Sequence, residues 1–400
     1  MVSRTGRQIA AWAGATLAGF FVMACGQDIA RADWRLTPGL TVQERFDGNP
    51  RFSATQKSPD FATVVNTTFE FKGREQEIDV SGNLGSSYTA YAKNTDLSRI
   101  SSLGAVSLNA NSLAGRLLPG WGLTVSENYI STQDFPVFAQ LGQTNTQASG
   151  GIQTGRFSTF GNTLGATTSY ALSQRMQMTG GYTNSLIHFS SRSNLTNTIS
   201  NVLTGGGSYA VSAQTSLLSD YIFSKFSFSG GNTTGTTTST DTHAAVVGVK
   251  QQFAADLDMT AKVGGTYLPA QDRLTNNFDV GATKKYAATI VGVSLSRFVT
   301  ASGGLAALVS TRVAQSIFVT HQITPALTAT LSGDRATTKS VGVSTLDITS
   351  YGLSSTINYA FNRYVNLTAS ASYLRQDSQG LTATSLNRNQ VTIGMTVTWP

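Results

Sequence analysis

Little in this 400-residue chain suits a water-soluble enzyme. It holds one cysteine, eight prolines and five glutamates, and only 12% of its residues are charged, against roughly a quarter in ordinary soluble domains. The single Cys25 rules out an internal disulfide framework. The scarcity of Lys and Glu argues against a solvated surface on every side. Long hydrophobic runs are missing too. The mean hydropathy is -0.06, and only Ile9 to Ala24 is continuously apolar. That stretch falls short of the ~20 residues a membrane-crossing helix needs.

The apolar stretch follows Arg4 and Arg7 and leads to Ala30-Arg31-Ala32. A basic start, an apolar centre and a small-x-small site make residues 1–32 a secretory signal peptide, with cleavage expected before Asp33. Val22-Met23-Ala24-Cys25 offers the alternative of a lipoprotein box, with Cys25 lipidated. The net charge of +7 falls to +5 without this segment, because Arg4, Arg7 and Arg31 leave with Asp28. No Lys/Arg cluster with interleaved aromatics accompanies that charge, so no nucleic-acid partner is expected.

What is abundant is glycine (39 residues), with Ser, Thr and Asn, in a pattern of period two from Asp33 onward. Trp34, Leu36, Leu40, Val42 and Phe46 share one face against Arg35, Thr37, Thr41, Gln43 and Arg45. Val365, Leu367, Ala369, Ala371 and Tyr373 oppose Asn366, Thr368, Ser370 and Ser372. This is the strand signature, and no helical period is found after residue 32. Short turns near 73–76, 173–175, 213–215, 254–256, 297–300, 324–326 and 362–364 alternate with long polar stretches such as 229–242 and 337–347. Short turns on one side and long loops on the other are the layout of outer-membrane barrels. Tyrosines recur at both ends of the apolar faces, as in Tyr170-Ala171-Leu172-Ser173 and Tyr359-Ala360-Phe361-Asn362, which fits two aromatic girdles at the lipid headgroups.

The expectation is an all-β, transmembrane, antiparallel up-and-down barrel over residues 33–400, with about eighteen strands or, as the alternative, sixteen. Strand starts are expected near 34, 61, 77, 99, 121, 158, 176, 200, 215, 241, 257, 283, 301, 312, 326, 348, 364 and 387. Either count is even and puts both termini in the periplasm of a Gram-negative bacterium. The face opposite the lipid is small and polar, so the lumen is expected to be lined by Ser, Thr, Asn and Gly. Arg35, Lys250 and Lys262 on that face would favour anions, with Glu70 and Asp79 opposing them. The longest connection, 133–157, carries Phe135, Pro136 and Phe138 and is the candidate constriction. His188, His243 and His321 lack a nucleophile motif or metal spacing, so no enzyme and no cofactor are expected.

The closing VTIGMTVTWP sets Val391, Ile393, Met395, Val397 and Trp399 against Thr392, Gly394, Thr396 and Thr398. It is expected to close on the first strand, and Trp399 resembles the terminal aromatic by which the outer-membrane insertion machinery recognises its clients. The opening segment, Trp34-Arg35-Leu36-Thr37-Pro38-Gly39-Leu40 with Val42, Glu44, Arg45, Phe46, Asp47, Gly48 and Asn49, resembles the outer-membrane β-barrel porins associated with bacterial exopolysaccharide synthesis. The resemblance implies a channel supporting polysaccharide export, with periplasmic export components as partners beside outer-membrane lipid. A general diffusion porin is the alternative; a barrel-borne hydrolase and an adhesive barrel are further readings.

Overall fold

The computed structural model describes residues 33–55, 57–75, 77–133, 149–152, 157–190, 195–230, 238–254, 256–304, 308–341, 346–380 and 384–399. Residues 1–32, expected to be a signal peptide, with Cys25 as the alternative lipidation site, and the Phe135, Pro136 and Phe138 triplet lie outside these residues. The strands are β1 (Asp33–Asp47), β2 (Asp60–Glu75), β3 (Ile78–Tyr91), β4 (Arg99–Asn109), β5 (Trp121–Thr132), β6 (Ser149–Ile152), β7 (Thr159–Ala171), β8 (Met176–Phe189), β9 (Asn197–Ala210), β10 (Thr215–Ser229), β11 (Thr238–Ala254), β12 (Leu257–Leu268), β13 (Arg273–Lys285), β14 (Thr289–Gly304), β15 (Leu308–Thr324), β16 (Leu327–Ser340), β17 (Leu346–Ala360), β18 (Val365–Gly380) and β19 (Thr384–Thr398).

Eighteen of these form one closed antiparallel barrel. Each pairs with the next, β5 passes directly to β7, and β1 closes on β19 from Gly39↔Thr398 to Asp47↔Gln390. The sixteen-strand alternative is excluded. Closure leaves no strand edge in hydrocarbon, where an unpaired backbone group would cost several kcal/mol. Leu36, Val42, Phe61, Ile199, Val247, Leu353 and Ile393 are exposed on the outside, and alternation sends their neighbours inward. A band of exposed aliphatic side chains of this extent requires lipid. The chain is an integral outer-membrane β-barrel, with the start of β1 and the end of β19 on the short-turn side.

The repeated turn signature has a local cause. Ser173 Oγ accepts the backbone N–H groups of Arg175 and Met176 at 3.2 and 3.1 Å. Ser212 does the same for Gln214 and Thr215, as does Asn362 Oδ1 for Tyr364 and Val365. A short acceptor side chain thus replaces backbone partners at the tightest point, as Ser and Asn do in turns. At the periplasmic rim the Trp34 ring covers Gly73, where any Cβ would collide with it.

Three expectations need correction. A seven-residue helix, α1 (Asn111–Leu117), sits in the β4–β5 connection, held by Asn111 Oδ1 accepting from Leu123 N at 2.8 Å. The starts expected at 283, 301 and 312 fall at 273, 289 and 308. The turn placed at 297–300 lies inside β14; the real one is at Tyr286, whose N–H reaches Thr289 O.

β14 also departs from the wall. β13 pairs with it only from Lys285↔Ile290 to Phe278↔Arg297, although both strands run on. Above that point β14 stays paired to β15, takes β6 on its freed edge in parallel register at Ser302 and Gly304, and touches β9. A strand confined to the wall could not reach β9, five barrel positions away. The upper β14–β15 hairpin is therefore folded into the bore. Packing agrees: Val299 and Val309, on the parity that faces outward lower down, cluster with Leu268, which points inward from β12.

Candidate permeation path

The inner wall has two halves of different character. On the periplasmic side lumen-facing residues are open. Arg35 stands opposite Lys72, and Thr37 opposite Glu70, and all three of these charged side chains are exposed. Arg74 approaches Asp79 at 3.4 Å with both side chains more than half exposed, a pairing of small energetic weight. Lys250 is exposed opposite Thr260. Alternation puts Arg35, Glu70, Asp79 and Lys250 on the strand faces opposite the exposed aliphatic band, near the short-turn end, with Lys72 and Arg74 beside them.

Lys262 is different. It sits at mid-height, and its Nζ donates to Asp220 Oδ2 at 2.7 Å with both side chains about 30% exposed. Gly206 lies directly across from Asp220 and leaves room for that carboxylate. Asp279 is opposite Lys262 on β13. Asp220, Lys262 and Asp279 line a recess with Asn277, Phe278, Arg297 and Phe298, beside the point where β14 leaves the wall. Sequence reading found Lys262 and missed the rest, because its partners come from β10, β13 and β14.

Toward the extracellular end the inward residues are buried: Asp47, Val64, Tyr91, Phe189, Val202, Phe226, Gln376 and Arg388 among them. Part of the cover is the connection after β1. Arg388 Nε and Nη2 both donate to the Asp47 carboxylate, the former at 3.1 Å. Tyr91 Oη and Gln390 Nε2 add 3.3 Å contacts to it. Asn49 Nδ2 donates to the carbonyls of Ser53 and Asn387 at 2.9 and 2.8 Å. Phe52, at φ 51° and 1% exposed, packs on inward-facing Leu386 and Leu374. A polar bracket and an apolar anchor therefore hold residues 48–55 against the lumen wall. The small-polar lining expected for the whole bore holds only for its periplasmic half.

Two of the three histidines make side-chain hydrogen bonds. His243 Nδ1 shares a hydrogen with Tyr221 Oη at 2.7 Å and its ring lies 5.1 Å from Phe223. His321 Nδ1 meets Thr289 Oγ1 at 2.8 Å. His188 is opposite Phe160 on β7.

No family model matches the chain, and no curated protein matches it in sequence. Solved barrels do resemble it in shape. OccK2 (OpdF) of Pseudomonas aeruginosa is 10% identical with a TM-score of 0.46, over 91% of this chain and 98% of that one. OpdK of the same organism, with vanillate, is 7% identical with a TM-score of 0.47, over 91% and 99%. The siderophore receptor PirA, also from P. aeruginosa, is 10% identical with a TM-score of 0.48, over 92% and 80%. The resemblance to exopolysaccharide-associated barrels is overturned: no such family matches, and the solved structures similar in shape include the outer membrane protein OpdK, a BenF-like porin and a siderophore receptor. The opening segment has a structural explanation instead. Trp34 covers Gly73 and the Pro38 carbonyl accepts Trp399 N–H at 3.0 Å, so these residues serve closure at the periplasmic rim.

Proposed function

We propose that this barrel is a diffusion channel for the uptake of small polar solutes. The observation that carries the reading is the two-part bore: an open, small-polar and charged periplasmic half below an extracellular half narrowed by residues 48–55 and the inward β14–β15 hairpin. A passage narrowed in this way suits single small molecules. β6 adds support for a constriction in the 133–157 connection, because it pairs with β14, seven barrel positions from β7 and eight from β5. Phe135, Pro136 and Phe138 stay the proposed constriction residues on sequence grounds. Arg35 and Lys250, opposed by Glu70 and Asp79, are proposed to set a mild anion preference, to which Lys262, matched by Asp220, adds little.

Reconstitution in planar bilayers tests the reading: steady open conductance is expected, with liposome swelling in small neutral sugars and amino acids. A purified, heat-modifiable barrel that neither conducts nor admits any of these solutes would refute it. Trp399, half exposed beside the closing seam, is proposed as the assembly signal. Trp399→Ser is expected to lower the amount of folded barrel in the outer membrane, and unchanged insertion would remove that role.

A further inference from the structure

The recess beside the inward-turned β14 is more than a by-product of the fold. Within it Lys262 is engaged by Asp220, while two other charged groups retain capacity. Arg297 Nε is buried and has no hydrogen-bond partner among the described residues. Asp279 stands opposite Lys262 in the ladder and next in sequence to Phe278, the direct partner of Arg297. Asn277 donates its amide to Thr266 Oγ1 at 2.6 Å, and its Oδ1 is a buried acceptor without a donor. Buried polar atoms in native proteins are nearly always satisfied, and exceptions call for an explanation. Here an unused cationic donor, an unused amide acceptor and a carboxylate face one space, beside the Phe298 segment of β14.

We infer that this recess binds a small zwitterion, an α-amino acid in size and charge, on its way through the bore. The inference rests on the uptake reading and sharpens it to a substrate class. A carboxylate would take the Arg297 donor, and an ammonium would be shared between Asp279 and Asn277 Oδ1. A simple anion would meet Asp220 and Asp279, and a simple cation would meet Lys262 and Arg297; each is disfavoured by half of the site. The recess lies at mid-height, between the wall of β10 to β13 and the strand that has moved into the lumen.

The test is the full-length barrel in planar bilayers, titrated with glutamine. A saturable fall in open conductance is expected. Arg297→Gln and Asp279→Asn should each raise the half-blocking concentration about tenfold or more, as for a lost hydrogen bond to a charged group. Acetate and methylammonium, which carry one charge each, should need at least about tenfold more than glutamine, and glucose should not block saturably. Conductance in the variants shows that the barrel has assembled; if either variant fails to insert, saturation-transfer NMR of glutamine on the wild-type barrel, competed by acetate, methylammonium and glucose, decides by the same ranking. A conducting barrel that glutamine does not block, that glucose blocks equally, or whose two variants behave as wild type overturns the site alone. A barrel without any conductance would instead overturn the uptake reading beneath it.

Discussion

The two halves of the bore share one wall and one alternation of side chains, yet their inward faces are physically unlike. On β18, Asn366, Thr368, Ser370 and Ser372 are accessible from the lumen, whereas Gln376 and Ser378, on the same face further up, are buried. On β1 the same strand runs from exposed Arg35 to fully buried Asp47. Period two decides which side chains enter the bore but not what they meet there. In the periplasmic half they meet water, so charged groups cost little and pair loosely. In the extracellular half they meet folded chain, and each must find a partner or a close-packed neighbour.

Removing matched charges from the two halves should show the contrast at its largest. Arg388→Ala would leave the fully buried Asp47 carboxylate without the Arg388 guanidinium, at a cost of about 3–5 kcal/mol, and should release residues 48–55 from the wall. Protease cleavage within 48–55 and a higher, noisier conductance are expected. Arg74→Ala in the periplasmic mouth should change stability by no more than about 1 kcal/mol, read by urea unfolding in detergent or lipid. Equal losses from both variants would abolish the distinction. A second contrast separates outside from inside on one strand. Ile393→Arg, on the lipid face of β19 and 66% exposed, should cost roughly 2–4 kcal/mol near the bilayer midplane, whereas Thr392→Arg into the lumen should be much cheaper.

The wall was largely legible in the sequence and the contents of the bore were not. Strand starts at 121, 176, 215 and 257 were placed to the residue, because outward faces repeat strictly against lipid. The region 269–304 failed for identifiable reasons. Pro269 to Asp272 is a tight turn, with Asp272 at φ 45°, so the next strand starts at Arg273 and not at the expected 283. Asn276 then interrupts the apolar parity of β13. One signal of the filled half was available: in KFSFS, Phe226 and Phe228 share the inward parity of Ser224. Aromatic side chains pointing into a bore imply that something covers them. No local pattern could have joined Asp47 to Arg388, which lie 341 residues apart and meet only because the barrel closes.

Acid should loosen the extracellular rim. Asp60, at the rim above the Phe46–Phe61 ring pair, is 1% exposed. Burial pulls its pKa upward, but hydrogen bonds from Asn94 N–H and side chain, Lys93 N–H and Phe61 N–H outweigh it, leaving the carboxyl below its ordinary value of 3.8. A folded-state value below the unfolded one stabilises the rim fully above about pH 4 and loses that contribution as pH falls through the folded value. Conductance should therefore hold steady from neutral pH down to about 4 and become noisier below it, and Asp60→Asn should be noisy at every pH. A steady trace at low pH would detach Asp60 from the integrity of the rim.

The smallest effect concerns the open half and asks whether its charges act singly. Lys250 is exposed, while Lys262 is matched by Asp220. Lys250→Gln should move the reversal potential in a salt gradient toward cations. The double variant Lys262→Gln with Asp220→Asn removes one charge of each sign and should leave the reversal potential where it was. The shift from Lys250 should also depend on salt. At 0.1 M the screening length is about 10 Å and a lumen charge is felt across part of the bore, whereas at 1 M it falls to about 3 Å and the shift should vanish. A double variant that shifts selectivity as much as Lys250→Gln would mean that Lys262 acts on permeating ions despite its partner, and the line between the matched Lys262–Asp220 pair and the open, loosely paired mouth would have to be redrawn.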